Sequence, residues 1–263
     1  MNGLLTIDRY LFIGCILLSG CTELIEYSPY DTPVKTLEFN KTESEKIPVD
    51  AIAPDDTFKI ALFSDTHNFY DYMADAISSI NKRSDLQFVA CCGDITNLGL
   101  VNEFEGYLEE ARKSKFPIIT AIGNHDYRSN GYYIFNKLFG SPNFSFVSGN
   151  YKFIFFDNIL LENDYISPHY EWLINELSDT LQNNIVIAHV PPFDPEMRGF
   201  HNLRYCEIVN PENTILGLYG HLSTYIELEY NGIHTLVSTR ISDREYYIVS
   251  LINDQSIIER IKF

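Results

Sequence analysis

Phe58-Lys59-Ile60-Ala61-Leu62-Phe63-Ser64-Asp65-Thr66-His67 is the stretch whose reading decides the fold. Five of its first six side chains are apolar, and the run then stops on a polar turn, so it reads as a buried strand delivering an acid and an imidazole at its end. Two similar runs follow, residues 86–92 and 117–122. Between the runs the spacing becomes helical. Residues 69–81 place Tyr72, Ala76 and Ile80 on one face, and residues 101–114 do the same with Phe104, Leu108 and Ala111. This β-α-β-α-β order builds an α/β sheet.

The pattern continues with strands over residues 144–147 and 151–156, a helix over 168–181 and a strand over 184–188. The last part differs. Residues 225–230, 233–238, 246–251 and 257–261 are short strands joined by turns such as Asn231-Gly232 and Asn253-Asp254, the mark of antiparallel hairpins. Two sheets facing each other accommodate both halves.

In open α/β sheets, functional side chains collect beyond the carboxyl ends of strands, where loops vary without disturbing the core. Here the strand ends carry Asp65-Thr66-His67, Gly93-Asp94-Ile95-Thr96-Asn97, Gly123-Asn124-His125-Asp126, His189 and Gly220-His221-Leu222-Ser223. Four of the seven histidines fall at these ends, leaving His169, His201 and His234 elsewhere. Each motif alone is commonplace, and the specific signal is the ordered set.

Composition narrows the function classes. The 263 residues carry 19 basic and 36 acidic side chains, a net charge of −17, with 45% hydrophobic and 21% charged residues. That is a folded domain, with no Lys/Arg run to bind the backbone of duplex nucleic acid. A phosphorylated ligand would need local positive charge, most economically metal ions. Five cysteines without a CxxC pair indicate neither a zinc ribbon nor a disulfide framework. Cys91 and Cys92, in a buried strand, read as packing, and so does Cys206.

The amino terminus reads as a leader. Residues 10–18 form an apolar run too short to span a bilayer, and Leu18-Ser19-Gly20-Cys21 resembles the lipobox of bacterial lipoproteins, in which the cysteine becomes the lipidated first residue. Residues 1–20 are then a signal peptide. Residues 21–56, with four prolines and nine acidic against three basic residues beyond Cys21, form an acidic tether, in which residues 34–39 could add an edge strand. Residues 57–263 form the domain. The expectation is a lipid-anchored protein of the bacterial cell envelope facing the periplasm or exterior, membrane-bound through Cys21 and of open oligomeric state.

The succession D-x-H, G-D-x-x-N, G-N-H-D, lone His and G-H-x-x resembles the calcineurin-like metallophosphoesterase family, from Phe58 to about Ser238. The resemblance implies an α-β-β-α sandwich of two facing β-sheets flanked by helices, and hydrolysis of a small phosphate mono- or diester. It also implies two metal ions, Mn, Fe or Zn, which suit such mixed nitrogen and oxygen ligands. Asp65 and His67 would hold the first metal, Asp94 would bridge, and Asn124, His189 and His221 would hold the second. Water activated between the ions would attack phosphorus in line, with His125, oriented by Asp126, serving the leaving oxygen.

One position departs from the family. Its last motif ends in a second histidine, which ligates the first metal, and here that place is Ser223. A weakened first site, a substitute ligand such as His201 or His234, or operation with one metal or none would follow. The alternative function is a catalytically weakened or inactive binding lipoprotein. The aromatic series Tyr127, Tyr132, Tyr133, Phe135 and Phe139 is read as core rather than as a nucleobase pocket. Arg128 and Arg198 are read as surface charges, though they stand near enough to motif residues to grip a phosphate.

Overall fold

The computed structural model describes residues 34–50, 57–178, 183–197 and 199–263. The residues read as a signal peptide, Cys21 and Arg198 lie outside the described residues. Among those described, no helix is long and apolar enough to cross a membrane.

β1 (Phe58–Phe63) lies at the centre of a five-stranded sheet. It pairs in parallel with β2 (Phe88–Cys91), which pairs in parallel with β3 (Ile118–Thr120). On its other side it pairs antiparallel with β10 (Glu245–Ile252), and β11 (Gln255–Lys262) closes that edge. The second sheet has six strands, in the order β4 (Phe144–Ser148), β5 (Tyr151–Phe155), β6 (Asn183–Ile187), β7 (Leu216–Tyr219), β9 (Ile233–Val237) and β8 (Ile226–Tyr230). The C-terminal hairpins are present but divided: β8–β9 ends the six-stranded sheet, and β10–β11 completes the five-stranded one.

Strand periodicity explains the layering. From β1, Ile60 and Leu62 meet Phe153, Ile185 and Leu216 of the other sheet in one buried cluster. Their neighbours Ala61 and Phe63 face the opposite way, toward α2 (Tyr70–Ile80), α3 (Val101–Ala111) and α4 (Gly131–Leu138), through Met73, Phe104 and Phe135. Beyond the second sheet, Ile154 and Val186 pack among residues of α5 (Tyr170–Leu177) and α6 (Phe200–Ile208), such as Leu173 and Tyr205. The result is the expected α/β sandwich of helix, sheet, sheet and helix layers. Of the aromatic series, Phe135 and Phe139 are core, whereas Tyr132 and Tyr133 stand exposed.

Part of the segment read as tether is folded onto the domain. Residues 34–38 form no edge strand, and α1 (Phe39–Ser44) follows. Phe39 and Ile47 are buried, and the Asn40 side chain pairs with Thr120 in both directions, Nδ2 donating to the Thr120 carbonyl at 2.8 Å and Oδ1 accepting from its N–H at 2.9 Å. β3 is an edge strand, and one asparagine satisfies a backbone pair that no strand reaches.

Candidate functional site

The strand-end turns meet at one end of the two sheets, around an open cleft of about 420 Å³ lined by Asp65, His67, Asp94, Asn124, His125 and His221 among others. Asp65, Asp94, Asn124 and His189 are at most 5% exposed. Such buried polarity needs compensation, and it is supplied group by group. His189 Nδ1 lies 2.7 Å from the Cys92 carbonyl and His67 Nδ1 lies 3.0 Å from that of Thr96. A carbonyl only accepts, so both Nδ1 atoms carry the proton and both Nε2 atoms turn toward the cleft. The Asn124 amide is fixed likewise. Its Nδ2 donates to Glu162 at 2.7 Å, leaving Oδ1 to point inward.

The result is a convergence of nitrogen and oxygen atoms able to bind a cation. His189 Nε2 lies 3.3 Å from Asp94 Oδ2 and 3.1 Å from Asn124 Oδ1, while His221 Nδ1 lies 3.2 Å from Asn124 Oδ1 and 3.3 Å from His189 Nε2. Two further groups of donor atoms each fall within 4.8 Å: Asp65 with Asp94 and His189, and His67 with Asp94 and His125. Asp94 belongs to both. His67 Nε2 stands 3.9 Å from Asp94 Oδ2. Lone pairs packed this closely repel unless positive charge lies among them. Without a metal, a proton serves: burial pulls the His189 pKa down, but the Asp94 and Asp65 carboxylates push it up to about 10. Burial pushes Asp94 up, yet His189, His125 and His67 hold it down at about 2. A cation able to accept nitrogen and oxygen ligands fits the same point, and this donor chemistry suits divalent metal ions.

The backbone is bent to achieve this. Asp65, His67, Asp94, His221 and Ser223 all adopt the left-handed region, with φ between 43° and 72°. Five such non-glycine residues in one cleft are a concentration of strain typical of functional sites. Glycines allow the turns to touch. A Cβ on Gly220 would sit 2.0 Å from Ser64 Oγ and 2.7 Å from Asp65 Oδ2, and one on Gly123 would sit 2.1 Å from the Asp94 nitrogen.

His125 stands beside His67, their ring centroids 4.7 Å apart. Its Nδ1 lies 2.9 Å from the Asn97 carbonyl and so donates there, which leaves Nε2 for a ligand. The expectation that Asp126 orients this ring needs correction. Asp126 is fully buried, and its oxygens accept from the backbone nitrogens of Ile95, Thr96 and Gly123 and from Thr96 Oγ1. It pins the second strand-end loop to the third. Burial and the nearby Asp94 charge push its pKa up to about 7.

Neither suggested replacement for the missing histidine reaches the cleft. His201 is beside Tyr170, and His234 pairs with Ser256 and Glu227. Ser223 does line the cleft, together with Arg240, the one Lys or Arg among its described lining residues. Arg128 is half-buried, with Nη1 3.3 Å from the Asn97 carbonyl. The sequence reading missed Arg240, Glu162, Asp194, Glu196 and Glu103. Glu103 ties the turns together, accepting from Asn68 and from the backbone nitrogens of Leu98 and Leu100. Asp194 and Glu196 approach His221 Nε2 at 4.0 and 3.7 Å. Their position five and seven residues beyond His189 was the available signal. Glu162 and Arg240 gave none.

Known proteins share this architecture. A "Probable cyclic nucleotide phosphodiesterase" of Xenorhabdus bovienii is 29% identical over 65 residues, about a quarter of each chain. A purple acid phosphatase from yellow lupin (Lupinus luteus) seeds superposes with a TM-score of 0.55 and 14% identity, covering 82% of this chain and 52% of that one. GAP50, "the anchor in the inner membrane complex of Plasmodium", gives 0.57 and 15%, covering 78% of this chain and 84% of that one. At such identity the structures show the fold alone. The match to the calcineurin-like phosphoesterase family model, over residues 58–239 and hence well over half its length, places the chain in that family.

Proposed function

We propose that the chain hydrolyses a small phosphate mono- or diester with the help of two divalent metal ions. The observation carrying this reading is the convergence, through contacts of 3.1 to 3.3 Å, of Asp94 Oδ2, Asn124 Oδ1, His189 Nε2 and His221 Nδ1, four atoms of the kinds that bind a metal cation. These four would hold one ion. Asp65 and His67, with Asp94 shared, would hold the other, more weakly because Ser223 stands where the family has an imidazole. Family membership supports the chemistry. When bound, such ions acidify water and draw negative charge off phosphoryl oxygens.

The residues of the chain supply the rest. The Asp94 carboxylate, shared by both groups of donors, would offset the repulsion between two bound cations. His125, anchored through Nδ1–H to the Asn97 carbonyl, presents Nε2 for proton exchange with the leaving ester oxygen. Arg240, which also lines the cleft, offers guanidinium donors to phosphate oxygens. Lipidation of Cys21, with residues up to the folded segment as a tether, would keep this activity at the surface of a bacterial membrane.

The decisive experiment combines metal analysis of the purified chain with hydrolysis of p-nitrophenyl phosphate and bis(p-nitrophenyl) phosphate in Mn²⁺. Turnover lost in Asp94→Asn, with circular dichroism unchanged, is the expected result. Less than one tightly held transition metal per chain and no turnover in added Mn²⁺ would overturn the reading. A phosphorylated ligand bound without turnover would favour the second reading, a binding lipoprotein, for which Ser223 in the cleft is the specific observation.

A further inference from the structure

We infer that the substrate is an amphiphile, a phosphoester whose acyl or alkyl chain lies in an apolar groove beside the metal-binding cleft; this rests on the reading above that the cleft takes the phosphoryl group. The groove, of about 370 Å³, is lined by Leu161, Tyr165, Pro195, Glu196 and His201. It begins where the ring of donors ends. Glu196 reaches to 3.7 Å from His221, and Glu162, next in sequence to Leu161, holds the Asn124 amide at 2.7 Å.

Exposed apolar surface gathers there. Leu161, Tyr165, Ile166, Phe200 and Leu203 are 48 to 68% exposed, and all stand on two segments, the loop after β5 and the start of α6. Patches of this kind mark binding surfaces. The loop also carries backbone strain, since Asp164 and Tyr165, both non-glycine, are left-handed in succession with φ of 51° and 57°.

Charge selects the occupant. The chain carries −17 overall and Glu196 places a carboxyl at the groove's inner end, which disfavours a second anionic group there. An uncharged hydrocarbon meets Leu161, Pro195 and the ring of Tyr165.

The test uses the full chain in Mn²⁺ with two diesters sharing one leaving group, p-nitrophenyl methyl phosphate and p-nitrophenyl dodecyl phosphate, below micellar concentration. The dodecyl ester should give at least tenfold higher kcat/KM. That ratio should fall to within about twofold of unity in the double variant Leu161→Ser/Tyr165→Ser. A ratio near one in the unsubstituted chain, or one surviving the double substitution, overturns the inference while leaving the hydrolase reading intact. Preference for thymidine 5′-(p-nitrophenyl phosphate), lost in the same variant, also overturns it. If none of these diesters is hydrolysed, calorimetry with dodecyl phosphate against methyl phosphate decides the groove, and the hydrolase reading fails separately only if p-nitrophenyl phosphate is not hydrolysed either. Tenfold tighter dodecyl binding supports it, and equal binding refutes it.

Discussion

Asp157→Asn should stabilise the protein, and more so as pH rises. Asp157 lies just past β5, is 8% exposed, and accepts from the Tyr127 hydroxyl and from the Ile159 nitrogen. Burial pushes its pKa up from 3.8 to about 6. The folded chain therefore holds this proton more tightly than the unfolded chain does. The resulting stability is fully present below the unfolded value and is lost as pH rises through about 6. A tenfold difference in proton affinity is worth about 1.4 kcal/mol, so above pH 7 the ionised carboxylate costs the fold about 3 kcal/mol. At pH 5, where the folded group is still mostly protonated, linkage gives a cost of about 1.5 kcal/mol. An amide cannot ionise and escapes both costs, while its oxygen still accepts from Ile159. The advantage of the variant over the parent chain should thus be larger at pH 8 than at pH 5 by about 1.5 kcal/mol, or roughly 3–6 °C in Tm for a domain of this size. Thermal unfolding in chelator, which removes metal linkage, measures it. A Tm difference that is constant or shrinks with pH would refute the assignment of a buried, proton-favouring carboxyl.

Other substitutions separate roles in the cleft and the core. His125→Ala should lower kcat by about 10²- to 10⁴-fold with metal content unchanged, read by steady-state kinetics beside metal analysis. Glu162→Ala frees the Asn124 amide to rotate and should weaken metal binding by about 10- to 100-fold, seen in competition with a chromophoric chelator. Asn40→Ala leaves the Thr120 N–H and C=O without partners at a buried edge and should cost about 2 kcal/mol in denaturant unfolding, with activity at permissive temperature unaffected.

The strands that build the site were legible because burial on both faces leaves an uninterrupted apolar run; β1 falls at Phe58–Phe63, where its composition places it. The strand-end side chains that gather at the cleft were legible for the complementary reason, since each follows such a run directly. Asn40 was not legible. α1 is six residues of mostly polar composition, and only the unpaired edge of β3, invisible in sequence, explains its position. Glu162 was hidden similarly, because it acts through Asn124, which is 38 residues away in the chain. Asp126 was found but given the wrong partner: motif proximity suggested the adjacent imidazole, whereas the backbone turns the carboxylate inward to the nitrogens of a neighbouring loop. α6 escaped because its exposed Phe200 and Leu203 break the amphipathic pattern of a helix packed on a sheet.

The donors come from both layers: Asp65, His67, Asp94 and Asn124 hang from the five-stranded sheet, while His189 and His221 hang from the six-stranded one. Neither layer alone carries a complete set. Slippage of one sheet over the other by a single residue step of about 3.3 Å would dismantle the set while leaving each sheet intact. An ion seated there would act as a rivet against shear, so pulling the layers past one another should require more force once the rivet is in place.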